Sequence, residues 1–245
     1  SHERLVTPMV RVDGKLEPAT WDKALDTIRT GLTNAIKMGE KIGGVASARL
    51  TNEELYLFQK LMRVALKSNN FEAGSRWNSD SVKEFIDVMG LKNGGVSIYD
   101  ALKADTVLII GTAISDENPV TDYIIRRLSS YRKMNIIIMS SRGLKLDSSA
   151  KILLRHKPGA EREIIGAITN IITGKCKDTS ETGNIGAAAE LIKNSNSVSI
   201  AVGNDVLRIA SQLSYMNVLA DSLKGLGKEV KLFPVLDRAN QRGAW

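Results

Sequence analysis

The sequence predicts a parallel α/β protein built in two parts. Short aliphatic runs alternate with longer amphipathic stretches along the whole chain, which is the pattern of strands covered by helices. The 245 residues, 43% hydrophobic and 25% charged, suit one large domain or two small ones with well-buried cores. Neither an internal repeat of 20–50 residues nor a low-complexity tract interrupts the pattern.

In chain order, Thr20 is the expected N-cap of a first helix, because Ala24, Leu25, Ile28, Leu32 and Ile36 fall on one helical face. A strand is expected at 42–47. Thr51-Asn52-Glu53-Glu54 reads as a capping box ahead of a helix carrying Leu55, Phe58, Met62, Ala65 and Leu66. Residues 69–78 read as a linker, followed by a helix over 80–89 that Gly90 ends. Then come a strand at 106–110, a helix over 117–132 with Pro119 in its first turn, and strands at 135–139 and 152–154. A helix over 161–173 leads to a second linker, 174–184, rich in Lys, Thr, Ser and Gly. The pattern closes with a helix at 185–194, a strand at 198–202, a helix at 205–224 and a strand at 229–233. Each flank holds too few strands for a core of its own. The expected division is therefore an extension over 1–30, a discontinuous α/β domain of 31–75 and 190–245, and an inserted α/β domain of 76–184.

Composition excludes several function classes. The single Cys176 cannot form an internal disulfide, and with only His2 and His156 it cannot build a structural zinc or iron–sulfur site. That favours a reducing, cytoplasmic setting. No run approaches the roughly 18 apolar residues needed to span a bilayer, so direct membrane insertion is not expected. The chain starts without Met and stops on Trp245, which reads as a piece of a longer protein. The 34 Lys and Arg against 27 Asp and Glu give a net charge of +7. Residues 124–162 alone carry ten cations against Asp147 and Glu161, so the excess belongs to one segment. With only Tyr123 and Tyr131 nearby, that segment reads as a solvated basic face or a surface for an acidic partner, and nucleic acid is not an expected partner.

Two strand-to-helix turns are candidate ligand sites, since open parallel sheets bind ligands beyond the carboxyl ends of their strands. One is Ile110-Gly111-Thr112-Ala113, the other Val202-Gly203-Asn204-Asp205. Neither has Gly-x-Gly-x-x-Gly spacing, and plain turn chemistry accounts for both. Lys157-Pro158-Gly159-Ala160-Glu161 puts a carboxylate in a first helical turn, where it stabilises the dipole or accepts hydrogen bonds from a purine edge. No His-Glu-x-x-His or Gly-x-Ser-x-Gly pattern occurs, so no catalytic residue is expected.

A resemblance adds to this reading. Arg4-Leu5-Val6-Thr7-Pro8, Pro18-Ala19-Thr20-Trp21-Asp22-Lys23-Ala24-Leu25, Asn118-Pro119-Val120, Pro158-Gly159-Ala160-Glu161 and Asn240-Gln241-Arg242-Gly243-Ala244 resemble the molybdopterin oxidoreductase family. That family includes formate dehydrogenases and the large iron–sulfur subunit of bacterial NADH-quinone oxidoreductase. The resemblance implies two Rossmann-like parallel-sheet domains, the second inserted into the first. It also implies a bis-guanylyl molybdopterin with molybdenum or tungsten in active members, and iron–sulfur clusters upstream. Asn78 stands where the metal-ligating Cys or selenocysteine belongs, and a neutral amide is a poor ligand for a soft metal. Gly111-Thr112-Ala113 replaces Gly-Ser-Asn, and Ser140-Ser141-Arg142 replaces Asp-Pro-Arg. Gly111, Arg142 and Glu161 remain as a vestigial nucleotide pocket. The resemblance therefore implies a scaffold with no metal and no cofactor of its own. Its partners would be the other subunits of a respiratory oxidoreductase complex, peripheral to the inner membrane. An active formate-dehydrogenase-like domain is the alternative.

Overall fold

The computed structural model of the chain describes residues 4–73, 79–90, 95–176, 183–207, 209–241 and 243–244. They form two units, one of residues 4–73 with 243–244 and one of residues 79–241.

The first unit opens with a hairpin that the sequence reading did not anticipate. Strands β1 (Met9–Val12) and β2 (Lys15–Pro18) pair antiparallel across Asp13-Gly14, both at positive φ (47° and 83°). Asp-Gly is the dipeptide that such a two-residue turn favours. Helix α1 (Trp21–Lys37) then starts at the expected cap, the Thr20 hydroxyl accepting from the Lys23 N–H at 3.3 Å. It has no buried residue, and Trp21, Leu25, Ile28 and Ile36 are exposed. After β3 (Gly44–Val45), helix α2 (Asn52–Lys60) begins with both arms of the predicted capping box formed. A π-helical turn at Leu61–Ala65 extends it, and β4 (Phe71–Glu72) returns parallel to β3. Residues 71–72 thus pair within the stretch expected as linker. The aromatic contact between Phe58 and Phe71, edge-on at 6.4 Å, and Arg63 over the Phe71 ring at 5.0 Å fix them there.

The second unit holds α3 (Ser79–Val88), α4 (Ile98–Ala101), β5 (Thr106–Ile110), α5 (Ile114–Glu117), α6 (Pro119–Arg132), β6 (Asn135–Ser140) and β7 (Ile152–Arg155). Next come α7 (Glu161–Ile172), α8 (Gly183–Lys193), β8 (Ser197–Gly203), α9 (Asn204–Leu207), α10 (Ala210–Gly225) and β9 (Glu229–Val235). The five strands form one sheet, all parallel, in the order β7-β6-β5-β8-β9. Every residue of β5 is buried, which is why this central strand reads as an unbroken aliphatic run. Alternate side chains serve opposite faces. Leu108, Ile110, Ile137, Met139, Val198 and Ile200 share a core with Phe85 of α3, Ile165 and Ile168 of α7, Ala188 of α8 and Leu213 of α10. Val107, Ile109, Ile136, Ile138 and Phe233 meet Leu102, Ile114 and Ile125 on the other side. The α6 crossover leads from β5 to β6 and the α10 crossover from β8 to β9, in opposite directions from the sheet centre. Right-handed connections then put those helices on opposite faces.

Two differences from the sequence reading have clear causes. The helix expected over 117–132 is two, because Pro119 has no N–H to continue α5 and Asn118 adopts an extended φ of −144°. The expected boundary at 184–190 is not a domain boundary in the structure. Strands β8 and β9, assigned from sequence to a domain with 31–75, join the sheet of β5 instead: β8 pairs with β5, Thr106 opposite Val198 and Ile110 opposite Val202, and β9 pairs with β8. A fully buried central strand needs a neighbour on each side, and β8 supplies one.

Candidate functional site

The sheet order reverses between β5 and β8, so the turns after Ile110 and Gly203 flank the crevice where an open parallel sheet binds ligands. They are the two turns singled out from the sequence. They are pressed together. Gly111 adopts φ +64° and its carbonyl accepts from the Asp205 N–H at 3.1 Å. A Cβ on Gly203 would lie 2.4 Å from that carbonyl oxygen and 2.3 Å from Thr112 Cβ. Only glycines allow this approach.

The polar groups of the first turn look inward. The Thr112 hydroxyl, buried, donates to Glu117 Oε2 at 2.7 Å, and Ala113 caps α5 with no side-chain hydrogen bond. At the end of β6 the Ser140 hydroxyl donates to the Arg142 carbonyl at 3.0 Å and accepts from the Arg142 N–H at 3.3 Å. The Arg142 side chain is exposed. Arg155, ending β7, donates to the Arg142 carbonyl at 2.6 Å and pairs with Asp147.

Glu161 opens α7 and is buried, 6% exposed. His156, half-buried as a residue but with its side chain only 3% exposed, lies beside it, with Nδ1 3.8 Å from Glu161 Oε1. The same nitrogen is 2.8 Å from the Lys157 carbonyl. A carbonyl only accepts, so Nδ1 carries the proton in that bond, and Nε2 of a neutral ring is left as an acceptor. Nε2 is buried with no hydrogen-bond partner among the described residues. Asn204, at the start of α9 and 3% exposed, has neither Oδ1 nor Nδ2 paired.

Gly111, Arg142 and Glu161 therefore follow three neighbouring strands, β5, β6 and β7, along one sheet edge. Asn78, the fourth residue singled out from the sequence, lies outside the described residues. Sequence reading missed His156 and Asn204 as site residues. Asn204 stood inside a quoted turn, but its burial depends on packing between two turns about 90 residues apart, which no local pattern records.

A nucleotide pyrophosphate would need free N–H donors or cations at this edge. The Asp205 N–H and the Thr112 hydroxyl are already used within the protein, and Ala113 offers no side-chain donor, while Arg142 is an exposed cation on this edge. A soft metal would need a thiolate or comparable anionic ligand, and the position that the resemblance assigns to it is the neutral amide Asn78, which does not fit the metal. The edge keeps orphaned polar atoms, and its two turns commit the Asp205 N–H and the Thr112 hydroxyl to bonds within the protein. Asn204→Leu should accordingly stabilise the chain, by about 1–3 kcal/mol, since it removes a buried amide with no partner. Urea titration would register a higher midpoint at unchanged slope, and a lower midpoint would contradict the assignment.

The fold and this edge define a doubly wound α/β domain whose switch-point crevice is closed by its own turns. A model of the family Molybdopterin oxidoreductase matches residues 4–239. The chain belongs to that family. It is similar to a G-type subunit of the NADH-quinone oxidoreductase of Rhizobium meliloti, 34% identical over 100% of this chain and 31% of that protein. It is similar also to NADPH-Fe(3+) oxidoreductase subunit alpha of Geobacter sulfurreducens, at 28% over 82% of the chain and 24% of the relative. F420-dependent formate dehydrogenase 1 subunit alpha of Methanococcus maripaludis is 32% identical over 69% of the chain and 25% of its own length. The chain thus spans a third or less of these relatives. Acetylene hydratase from Pelobacter acetylenicus has the same fold, with a TM-score of 0.62 at 18% identity, covering 91% of this chain and 35% of that one. No helix among the described residues is long and apolar enough to cross a membrane.

Proposed function

We propose that the chain is the scaffold of a molybdopterin enzyme without its chemistry, serving a mainly structural part in a respiratory NADH-quinone oxidoreductase, as a counterpart of its Rhizobium meliloti relative. The carrying observation is the close packing of the switch-point turns at Gly111 and Gly203, which engages the Asp205 N–H within the protein. Asn78 in place of a thiolate ligand supports the same reading. The parent protein would carry its iron–sulfur clusters elsewhere and sit on the cytoplasmic side, held to the inner membrane through neighbouring subunits. Gly111, Arg142 and Glu161 would then be a vestige of the nucleotide pocket.

The second reading is an active formate-dehydrogenase-like domain holding a guanylyl molybdopterin. It is favoured by the buried, unpaired Asn204 amide and His156 Nε2, which a ligand could satisfy. Calorimetry with GDP, standing in for the guanylyl end, separates the two. The scaffold reading expects no heat up to about 1 mM GDP, whereas a dissociation constant of about 10 μM or tighter, lost on Glu161→Gln, would replace it with the second. Metal and pterin analysis of the full-length parent gives an independent answer, with stoichiometric molybdenum or tungsten counting against the scaffold.

A further inference from the structure

The outer side of α6 and the neighbouring α4 enclose a hollow of about 390 Å³. Its floor is aliphatic, made by Leu102, Ile124 and Leu128. Leu102 belongs to the core below, and Ile124 and Leu128 pack against that core with part of their surface still open. Tyr99 and Tyr131 stand at the rim, 72% and 81% exposed. Lys103, Arg127 and Arg132 also line the hollow, and the Arg127 guanidinium lies 5.9 Å from the centre of the Tyr131 ring. That contact holds both side chains beside the opening.

The surrounding carboxylates are already engaged. Asp100 pairs with Lys103 at 2.7 Å, Asp122 with Arg126 at 3.0 Å, and Asp116 with Lys145. Arg127, Arg132 and Lys133 are left with no ion-pair partner among the described residues. The α6 dipole favours cations in its last turn and so accounts for Arg132 and Lys133. It gives no reason for Arg127, which lies earlier in the helix.

We infer that this hollow is the docking site for an acidic segment of a partner protein, one that inserts an aliphatic or aromatic side chain between the tyrosines and sets carboxylates against Arg127 and Arg132. An apolar centre ringed by Tyr and Arg is the anatomy of an interface hot spot. The volume admits a buried anchor side chain. A second copy of the chain fits poorly, because the same cations would face each other. Nucleic acid fits less well too: a phosphate backbone gains nothing from an aliphatic floor, and stacking needs rings laid along a track rather than facing across a hole. The inference stands apart from the nucleotide question, since it uses no residue of the strand-end edge.

The test is fluorescence anisotropy on this chain with a labelled Glu-rich peptide carrying two leucines one helical turn apart. Its Lys-for-Glu counterpart and an oligothymidylate are run alongside. The acidic peptide should bind with a dissociation constant of about 10–100 μM at low salt, and Arg127→Glu with Arg132→Glu should weaken it at least about tenfold. Lys224→Glu, a charge reversal on α10, which packs on the opposite face of the sheet from α6, should change it less than about twofold. The milder pair Arg127→Gln with Arg132→Gln keeps the comparison valid if charge reversal perturbs folding. The proposal fails if the acidic peptide does not bind, if Lys224→Glu weakens it as much as the arginine pair does, or if the basic peptide or the oligonucleotide binds as tightly.

Discussion

Gly203→Ala is expected to destabilise the second unit by about 3 kcal/mol or more, at the upper end of what overpacking a core costs. The methyl group would meet Gly111 O at 2.4 Å, Gly111 C at 2.8 Å and Thr112 Cβ at 2.3 Å. Two of those atoms are backbone, so no side chain can swing away. Nor can either turn retreat. Gly203 ends β8 and pairs with Val235, while Gly111 follows β5, and β5 and β8 are locked in register from Thr106–Val198 to Ile110–Val202. Moving the turns apart would also break the Asp205 N–H bond to Gly111. For a unit of this size the loss corresponds to a melting temperature lower by roughly 6–12 °C. The control is Gly166→Ala in the interior of α7, where a Cβ meets nothing within 4 Å. There the lost backbone freedom of the unfolded chain should stabilise by up to about 1 kcal/mol. A Gly203→Ala protein melting within about 2 °C of the parent would mean that the two turns are not in contact, and the closure argument for the scaffold reading would go with it.

Local pattern made the strands of the main sheet legible, because buried parallel strands are continuous aliphatic runs and their flanking helices carry caps and a helical stripe. Thr51-Asn52-Glu53-Glu54 is the clearest case, its capping box appearing bond for bond. Pairing was not legible. The residues of β8 read the same whether they join 31–75 or β5, since hydrogen-bond partners across a sheet leave no mark on either strand's own pattern. The linker reading of 69–78 failed on residues 71–72 for a related reason, as a two-residue strand exists only through its partner Gly44–Val45. Asp13-Gly14 was a missed local signal, because the two arms it joins are too short and too polar to stand out as strands. At the site, the turns could be read from sequence because a glycine ends each strand. Their mutual closure could not, since it depends on residues brought together by the crossovers.

Phe85→Ala should cost about 3–5 kcal/mol, through lost transfer free energy and the cavity left behind. Phe85 is fully buried among the aliphatic residues of β5, β8 and α10. Ten residues make a marginal helix in water, so α3 persists through the face it buries, where Phe85 and the adjoining Met89 are buried and Ile86 and Val88 pack against the same core. The unit should therefore respond unevenly. Hydrogen exchange at the amides of 83–89 should accelerate well beyond that of β5, whose strand is held by β6 and β8 on either side. Phe85→Leu, which keeps most of the volume, should cost less than half as much. Urea denaturation of the three proteins supplies the energies, and equal loss of protection in α3 and β5 would show that α3 does not open separately. In the scaffold reading, Phe85→Ala changes stability and leaves a GDP titration as flat as that of the parent.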